Sequence, residues 1–293
     1  MSGSDTAAHL ALLALFEGGN EYWSSEYLRL GAQDFLERIS SGAYADYKNS
    51  GYKLSKSLAQ IDTNMLEDQI AASGGFLLTR NDADWPTGLN DLKAPPIALV
   101  GRGARPALEN LERSLSIVGT RNPTEYGVRI SGDFAAGAVD RGWTVISGGA
   151  FGIDSAAHRG AIVAEGQTIA ILGGGVNSVF PSGNERLFRE IVENGLLLSE
   201  VLPNVHAIPS RFLTRNRLIA AISRATIVVE AAFRSGSLRT ARDAAEIFRP
   251  VLAVPGPITS PTSDGCHRLI GERTAEIVTS IADCMELVGP LLD

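Results

Sequence analysis

The sequence predicts an α/β protein: a largely parallel sheet with helices on both faces, preceded by a small all-helical module. Three observations carry that reading. From residue 116 onward, short β-branched runs alternate with stretches whose apolar residues recur every three or four positions. The short runs are apolar along almost their whole length, as strands buried on both faces must be, and sheets buried in this way are usually parallel. The first seventy residues carry the helical pattern and none of these runs.

The N-terminal module, residues 1–72, reads as helices over 7–16, 34–39 and 54–72, with Gly18-Gly19-Asn20 and Ser41-Gly42 as breakers. Phe76 begins a different style, and Pro86, Pro95 and Pro96 punctuate the passage into the second unit, residues 73–293. Strands are predicted at 116–118, 144–146, 168–172, 196–199, 226–229 and 251–254. Between them the spacing predicts helices near 126–141, 155–165, 185–194, 215–223 and 238–248. The tail, 258–292, offers an apolar strand–helix unit in which Leu269, Ile270, Ile277, Ile281 and Met285 fall on one stripe or core face. Ligands of open parallel sheets sit beyond the carboxyl ends of the strands, and most of the unusual residues of this chain follow a strand.

Composition narrows the function classes. With 44% hydrophobic and 20% charged residues, the 293-residue chain has the material for a packed core and is not a disordered one. Cys266 and Cys284 make neither a disulfide framework nor a four-ligand metal site, and they read as free thiols of a reducing cytoplasm. The four histidines lie far apart, so no zinc enzyme and no metal is expected. A Gly-x-Gly-x-x-Gly after a strand and a Gly-x-x-x-x-Gly-Lys are both missing, so no nucleotide cofactor is expected either. The start of the chain lacks a basic segment before its apolar run, and no stretch reaches the roughly 18 apolar residues of a membrane helix. A membrane partner is therefore not expected.

Charge is distributed unevenly. The net charge is −7, yet the segment from His206 to Pro250 holds eight arginines against three carboxylates and no lysine. At its heart is Arg211-Phe212-Leu-Thr-Arg215-Asn216-Arg217. Guanidinium forks suit phosphate oxygens, an aromatic face suits a base, and an amide suits a base edge, which together make a single-strand-binding set. Gly119 and Arg121 follow the first predicted strand. After the second come Gly148, Gly149, Gly152, Asp154 and His158, which read as a nest of N–H groups opening a helix. Asp154 and His158 stand at helical i, i+4 spacing, either as an acid–base pair or as a cap and a packing histidine. Gly173-Gly-Gly175 follows the third strand and leads to Phe180-Pro181. Ser235, Gly236, Ser237 and Thr240 open a further helix, and Glu200 and Glu230 end their strands.

These motifs, in this order, resemble the DNA-processing protein A (DprA, also Smf) family. The likeness runs through Gly119-Thr-Arg, Ser147-Gly-Gly-Ala-Phe-Gly-Ile-Asp-Ser-Ala-Ala-His158, Phe212-Leu-Thr-Arg-Asn-Arg217, Ser235-Gly-Ser-Leu-Arg-Thr-Ala241 and Ala253-Val-Pro-Gly256, and covers roughly residues 75–270. The resemblance implies an extended Rossmann-like domain, with a SAM-like or degenerate helix-hairpin-helix module before it. It also implies a non-enzymatic protein that binds single-stranded DNA and loads the RecA recombinase during natural transformation. Arg121 and the Arg211–Arg217 cluster would contact DNA, with Phe212 and Asn216 near the bases and the glycine and serine turns shaping the groove. Homodimerisation through the C-terminal part would involve His267, Leu269, Ile270 and Ile277. A different class is also open, a nucleotide phosphoribohydrolase resembling the LOG-type enzymes. Their Pro-Gly-Gly-x-Gly-Thr-x-x-Glu turn would fall at Phe233-Arg-Ser-Gly-Ser-Leu-Arg-Thr240, which reads as lacking the acid after Thr240.

Overall fold

The computed structural model describes residues 3–44 and 51–289. The N-terminal module comprises α1 (Gly3–Leu15), α2 (Glu21–Leu30), α3 (Ala32–Ser40), α4 (Gly51–Leu58) and α5 (Thr63–Ala72). The stretch predicted as one helix over 54–72 is two. Asp62 adopts extended backbone and its carboxylate accepts from Asn64 N and Met65 N, which caps a new helix and ends the old one. Asn20 caps α2 in the same manner, through Trp23 N.

The remainder is β1 (Gly75–Thr79), β2 (Ala98–Gly103), β3 (Ser114–Val118), α6 (Glu125–Val139), β4 (Thr144–Ser147), α7 (Ile153–Val163), β5 (Thr168–Leu172), α8 (Glu185–Asn194), β6 (Leu196–Ser199), α9 (Pro209–Ile222), β7 (Ala225–Val228), α10 (Ser237–Glu246), β8 (Val251–Ala253), α11 (Asp264–Gly271), β9 (Glu276–Ile277) and α12 (Ile281–Val288). One nine-stranded sheet runs in the order β1-β2-β6-β5-β4-β3-β7-β8-β9. All its pairs are parallel except β1 with β2 and β2 with β6. The antiparallel edge, β1 and β2, was not foreseen in the sequence.

From β3 the chain steps outward to β4, β5 and β6, and then returns through α9 to lay β7 on the other side of β3. The strand order therefore reverses between β3 and β7, where open α/β sheets form a ligand crevice. Every residue of β3, β4, β5, β6 and β7 is buried, because helices cover both faces. On one face Leu115, Ile117 and Val145 pack against Phe134 and Ala135 of α6 and Ile153 and Ala157 of α7. On the other, Ile146, Ile169 and Ile171 pack against Leu218 and Ile219 of α9 and Leu238 of α10. A third cluster joins Leu10, Leu13, Leu66 and Ile70 of the helical module to Val100, Leu197 and Phe188. That shared core places the α1–α2 turn beside the carboxyl end of the sheet.

Candidate nucleic-acid interface

The segment that carries the arginine cluster is helix, not loop. Pro209 starts α9 at its first turn, where a missing N–H costs nothing. Helical geometry then gives adjacent residues different surroundings. Phe212, Arg215 and Asn216 line a cavity of about 280 Å³ at the switch point, together with Val118, Gly119, Arg121 and Asp154. Ser235, Gly236, Ser237 and Thr240 close its far side. All of these but Val118 are residues the sequence marks as candidates, and the fold brings them together.

Arg121 is exposed, with its guanidinium 5.6 Å from the Phe212 ring centroid. Arg215 lies below, only 6% exposed, and donates from Nη1 to the Ile171 carbonyl at 2.6 Å. Its Nε has no hydrogen-bond partner among the described residues. Burial pulls the Arg215 guanidinium down to about 10, against the support of Asp154, so it keeps its charge at neutral pH. Asn216 donates from Nδ2 to Gly236 O at 3.2 Å, which ties α9 to the start of α10.

Asp154 does not cap α7. Its Oδ2 accepts from Gly148 N at 3.2 Å and Ala150 N at 3.3 Å, so the nest anticipated for an external anion already holds a carboxylate of the chain. Burial pushes this carboxyl above its ordinary range, while Arg215 and those two N–H groups pull it back. Gly148, Gly149 and Gly152 are there for the frame. A Cβ on Gly148 would lie 2.0 Å from Arg215 Nη1, one on Gly149 would strike the Phe188 ring, and one on Gly152 would lie 2.4 Å from Thr120 O. Gly149 and Gly152 also take left-handed φ of 69° and 82°. Gly119 packs against Ile153 and Glu230 O.

Several expected contacts are corrected by burial. His158 is fully buried on the inward face of α7, with Nδ1 2.7 Å from Thr168 Oγ1, and cannot reach a strand of DNA. Arg217 forms a bidentate pair with Glu200 through Nη2, at 2.5 and 2.6 Å, and reads as structural. Burial holds the Glu200 carboxyl above its ordinary value against the pull of that guanidinium. Arg211 is engaged by Glu17 of the helical module, through Nε at 2.9 Å and through Nη2. No spacing in the sequence announces Glu17; it reaches the site through the fold alone. Ser237 N, Leu238 N and Arg239 N are turned inward on Ser235 Oγ, Ser235 O and Gly236 O, so the start of α10 is less open than a bare helix terminus. Thr240 is buried at the cavity wall.

Glu200 and Glu230, which end their strands, are each held by partners within the chain. Glu230 accepts from Thr124 N, Thr124 Oγ1 and Thr262 Oγ1, a hub joining the ends of β3 and β7. The expectation of no acid after Thr240 is corrected by Asp243, which stands three residues on, where the glutamate of the LOG-type turn would fall, and Arg239 holds it at 2.6 Å. Among the described residues no cluster of three His, Cys, Asp or Glu side chains is placed to hold a metal, and no helix is long and apolar enough to cross a membrane.

The anticipated dimer residues divide. Leu269 is 1% exposed and packs in the chain's own core beside Cys266, because that is the inward stripe of α11. It therefore does not lie on a surface. His267 sets Nε2 3.0 Å from Gly256 O, Ile270 is partly covered, and Ile277 is exposed. The residues of the expected stripe or core face are divided over α11, β9 and α12, where Leu269 and Ile270 join one core cluster and Ile281 and Met285 pack on another, and residues 290–292 of that unit lie outside the described residues.

Residues 76–289 match the family model of DNA recombination-mediator protein A. A Mycobacterium tuberculosis relative described as a DNA processing protein DprA is 44% identical over 227 residues, which are 74% of this chain and 58% of that relative. The Streptococcus pneumoniae DNA processing protein DprA is 36% identical over 226 residues, 77% of this chain and 78% of the relative. The first of these shows that the chain spans less than two thirds of the length of some relatives. The X-ray structure of the S. pneumoniae protein superposes with a TM-score of 0.73 at 30% identity, covering 92% of this chain and 98% of the other. That of DNA processing protein A from Helicobacter pylori, described for its single-stranded DNA binding mode, gives 0.65 at 30% identity, over 75% and 97%.

Proposed function

We propose, from the premise that this chain belongs to the DNA recombination-mediator protein A family, that it binds single-stranded DNA at the carboxyl edge of its sheet and passes the strand to a RecA-type recombinase in the cytoplasm. The observation that carries the reading is the 280 Å³ cavity at the switch point, where an exposed guanidinium, a buried one, an aromatic ring and an amide converge. Phosphate contacts to Arg121 and Arg215 position the strand, and rings and amides meet its bases. A solved relative described for single-stranded DNA binding supports the same reading.

We read the protein as a mediator, not an enzyme. Asp154 is spent on two backbone N–H groups and Glu230 on two threonines, and Arg239 holds one oxygen of Asp243, so these carboxylates serve the frame. Self-association through the C-terminal face is part of the proposal, with Ile258 and Ile277 as exposed apolar residues there. Fluorescence anisotropy with a labelled single strand, competed with unlabelled duplex or single strand, tests the DNA reading. Single strand is expected to compete strongly and duplex weakly; equal competition overturns it. Free adenine released from AMP would turn the reading to the phosphoribohydrolase class.

A further inference from the structure

Phe212 was expected to carry base stacking, yet its surroundings are crowded. A Cβ on Gly173 would lie 2.8 Å from Phe212 Cδ1, so the ring rests on the backbone that ends β5. Arg215 and Arg121 place guanidinium carbons 5.9 and 5.6 Å from its centroid. Phe180 leans on the same ring, with centroids 5.6 Å apart and planes at 54°. Phe212 is only partly exposed, whereas Phe180 is 50% exposed. The ring with the more open surface is Phe180.

An exposed phenylalanine alone is unremarkable, because folded proteins show many apolar atoms to water. Here the backbone that carries it is pinned on both sides. Gly175 N donates to Val205 O at 2.8 Å and Asn177 N to Pro203 O at 2.9 Å. Beyond the ring, Pro181 is buried, and Asn184 donates from Nδ2 to Gly149 O at 3.0 Å and to Ser155 Oγ at 2.8 Å. The segment from Gly173 to Asn184 is thus tied to the β6–α9 connection and to the glycine loop after β4. A ring held open on a fixed frame binds a flat partner with little ordering cost. Arg121 and Phe180 both flank Phe212, so a nucleotide whose phosphate meets Arg121 can lay its base toward Phe180.

We infer that Phe180 is a base-stacking subsite for single-stranded nucleic acid, with Phe212 as its buttress. The inference rests on the single-strand reading above and adds a nucleobase as the ligand of a residue outside the arginine cluster. The test compares wild type with Phe180→Ala, Phe212→Ala and Arg215→Ala, using an oligothymidylate and an abasic strand of the same length. Phe180→Ala is expected to keep the wild-type melting temperature, to lose about tenfold in affinity for oligothymidylate, and to bind the abasic strand like wild type. Phe180→Trp supplies a direct readout: its fluorescence is quenched by oligothymidylate and not by the abasic strand. If Phe180→Ala binds oligothymidylate like wild type while Phe212→Ala and Arg215→Ala are weakened, the subsite is overturned and the single-strand reading stands. If all three bind like wild type, that reading falls with it. A Phe180→Trp signal that both strands quench equally also overturns the subsite, since a phosphate contact would then explain it.

Discussion

The Thr168 hydroxyl has one proton and gives it to Val145 O at 2.9 Å, so the 2.7 Å contact with His158 is made by a donating Nδ1. The tautomer follows: His158 Nε2 is a bare lone pair, buried without a partner among the described residues. Burial, helped by Arg215, pushes the ring down to about 3 from an ordinary value of 6.5. Between those values the unfolded chain binds a proton that the folded one refuses, so stability falls as pH drops from 6.5 toward 3. One such proton is worth about 1.4 kcal/mol per pH unit. Asp154, whose carboxyl is raised, acts in the opposite sense in part of that window. Comparison with His158→Gln isolates the histidine: the variant's denaturation midpoint is expected to fall less steeply over that range, and parallel curves would refute the assignment. Arg217 shows the same division between frame and ligand. Its side chain and that of Glu200 are 13% and 12% exposed, so Arg217→Ala strands a nearly buried carboxylate. A loss of about 3 kcal/mol is expected in chemical denaturation, with single-strand affinity of the folded variant close to wild type. Arg215→Ala is expected to lose affinity instead.

At the scale of elements, the helices and strands that build the site were legible because strand and helix periods differ and because parallel strands are apolar throughout. The six expected strands all appear within a few residues of their predicted ends. What stayed hidden depends on contacts distant in sequence. β2, Ala98–Gly103, alternates with nothing helical and takes its place by antiparallel pairing with β1 and β6 and by the packing of Leu99 and Val100, contacts distant in sequence. The roles within the arginine cluster were hidden for a similar reason. Residue types named a polyanion seat, but only the turn of α9 decides that Arg215 enters the cavity, Arg217 meets Glu200 and Arg211 meets Glu17. The glycine loop after β4 was legible as special and misread as an open nest, since no sequence pattern tells that Asp154 folds back into it. Gly148 gives a test at this scale. Its missing Cβ makes room for Arg215 Nη1, so Gly148→Ala must displace a guanidinium already held by Ile171 O. Single-strand affinity is expected to drop about tenfold, as for loss of a charge-assisted hydrogen bond, with circular dichroism unchanged. An unaltered affinity would show that Arg215 does not face the strand.

At the scale of the whole molecule, a chain of net −7 gathers Arg121, Arg211, Arg215 and Arg217 at the carboxyl edge of its sheet. A negative remainder disfavours indiscriminate adhesion to polyanions, and at that edge Arg211 and Arg217 are paired with Glu17 and Glu200 while Arg121 stays exposed to meet a strand that fits. The helical module joins this arrangement through the α1–α2 turn. Gly18 and Gly19 let that turn close on Glu200, Thr214 and Arg217, and Glu17 just before them engages Arg211. Arg211 holds the Glu17 carboxyl below its ordinary range, so the pair is charged at neutral pH. Glu17 is 64% exposed and Arg211 20%, which makes the contact weak enough for a phosphate to replace it. Glu17→Gln removes the competing charge and leaves the arginine free to neutralise one more phosphate. The slope of log affinity for a single strand against log salt is then expected to steepen by about 0.7, with tighter binding at low salt and convergence with wild type at high salt. Arg211→Ala in the Glu17→Gln background should abolish the change. Salt slopes that are the same in wild type and Glu17→Gln would mean that Arg211 lies off the path of the strand, and that the module touches the edge of the sheet without touching its ligand.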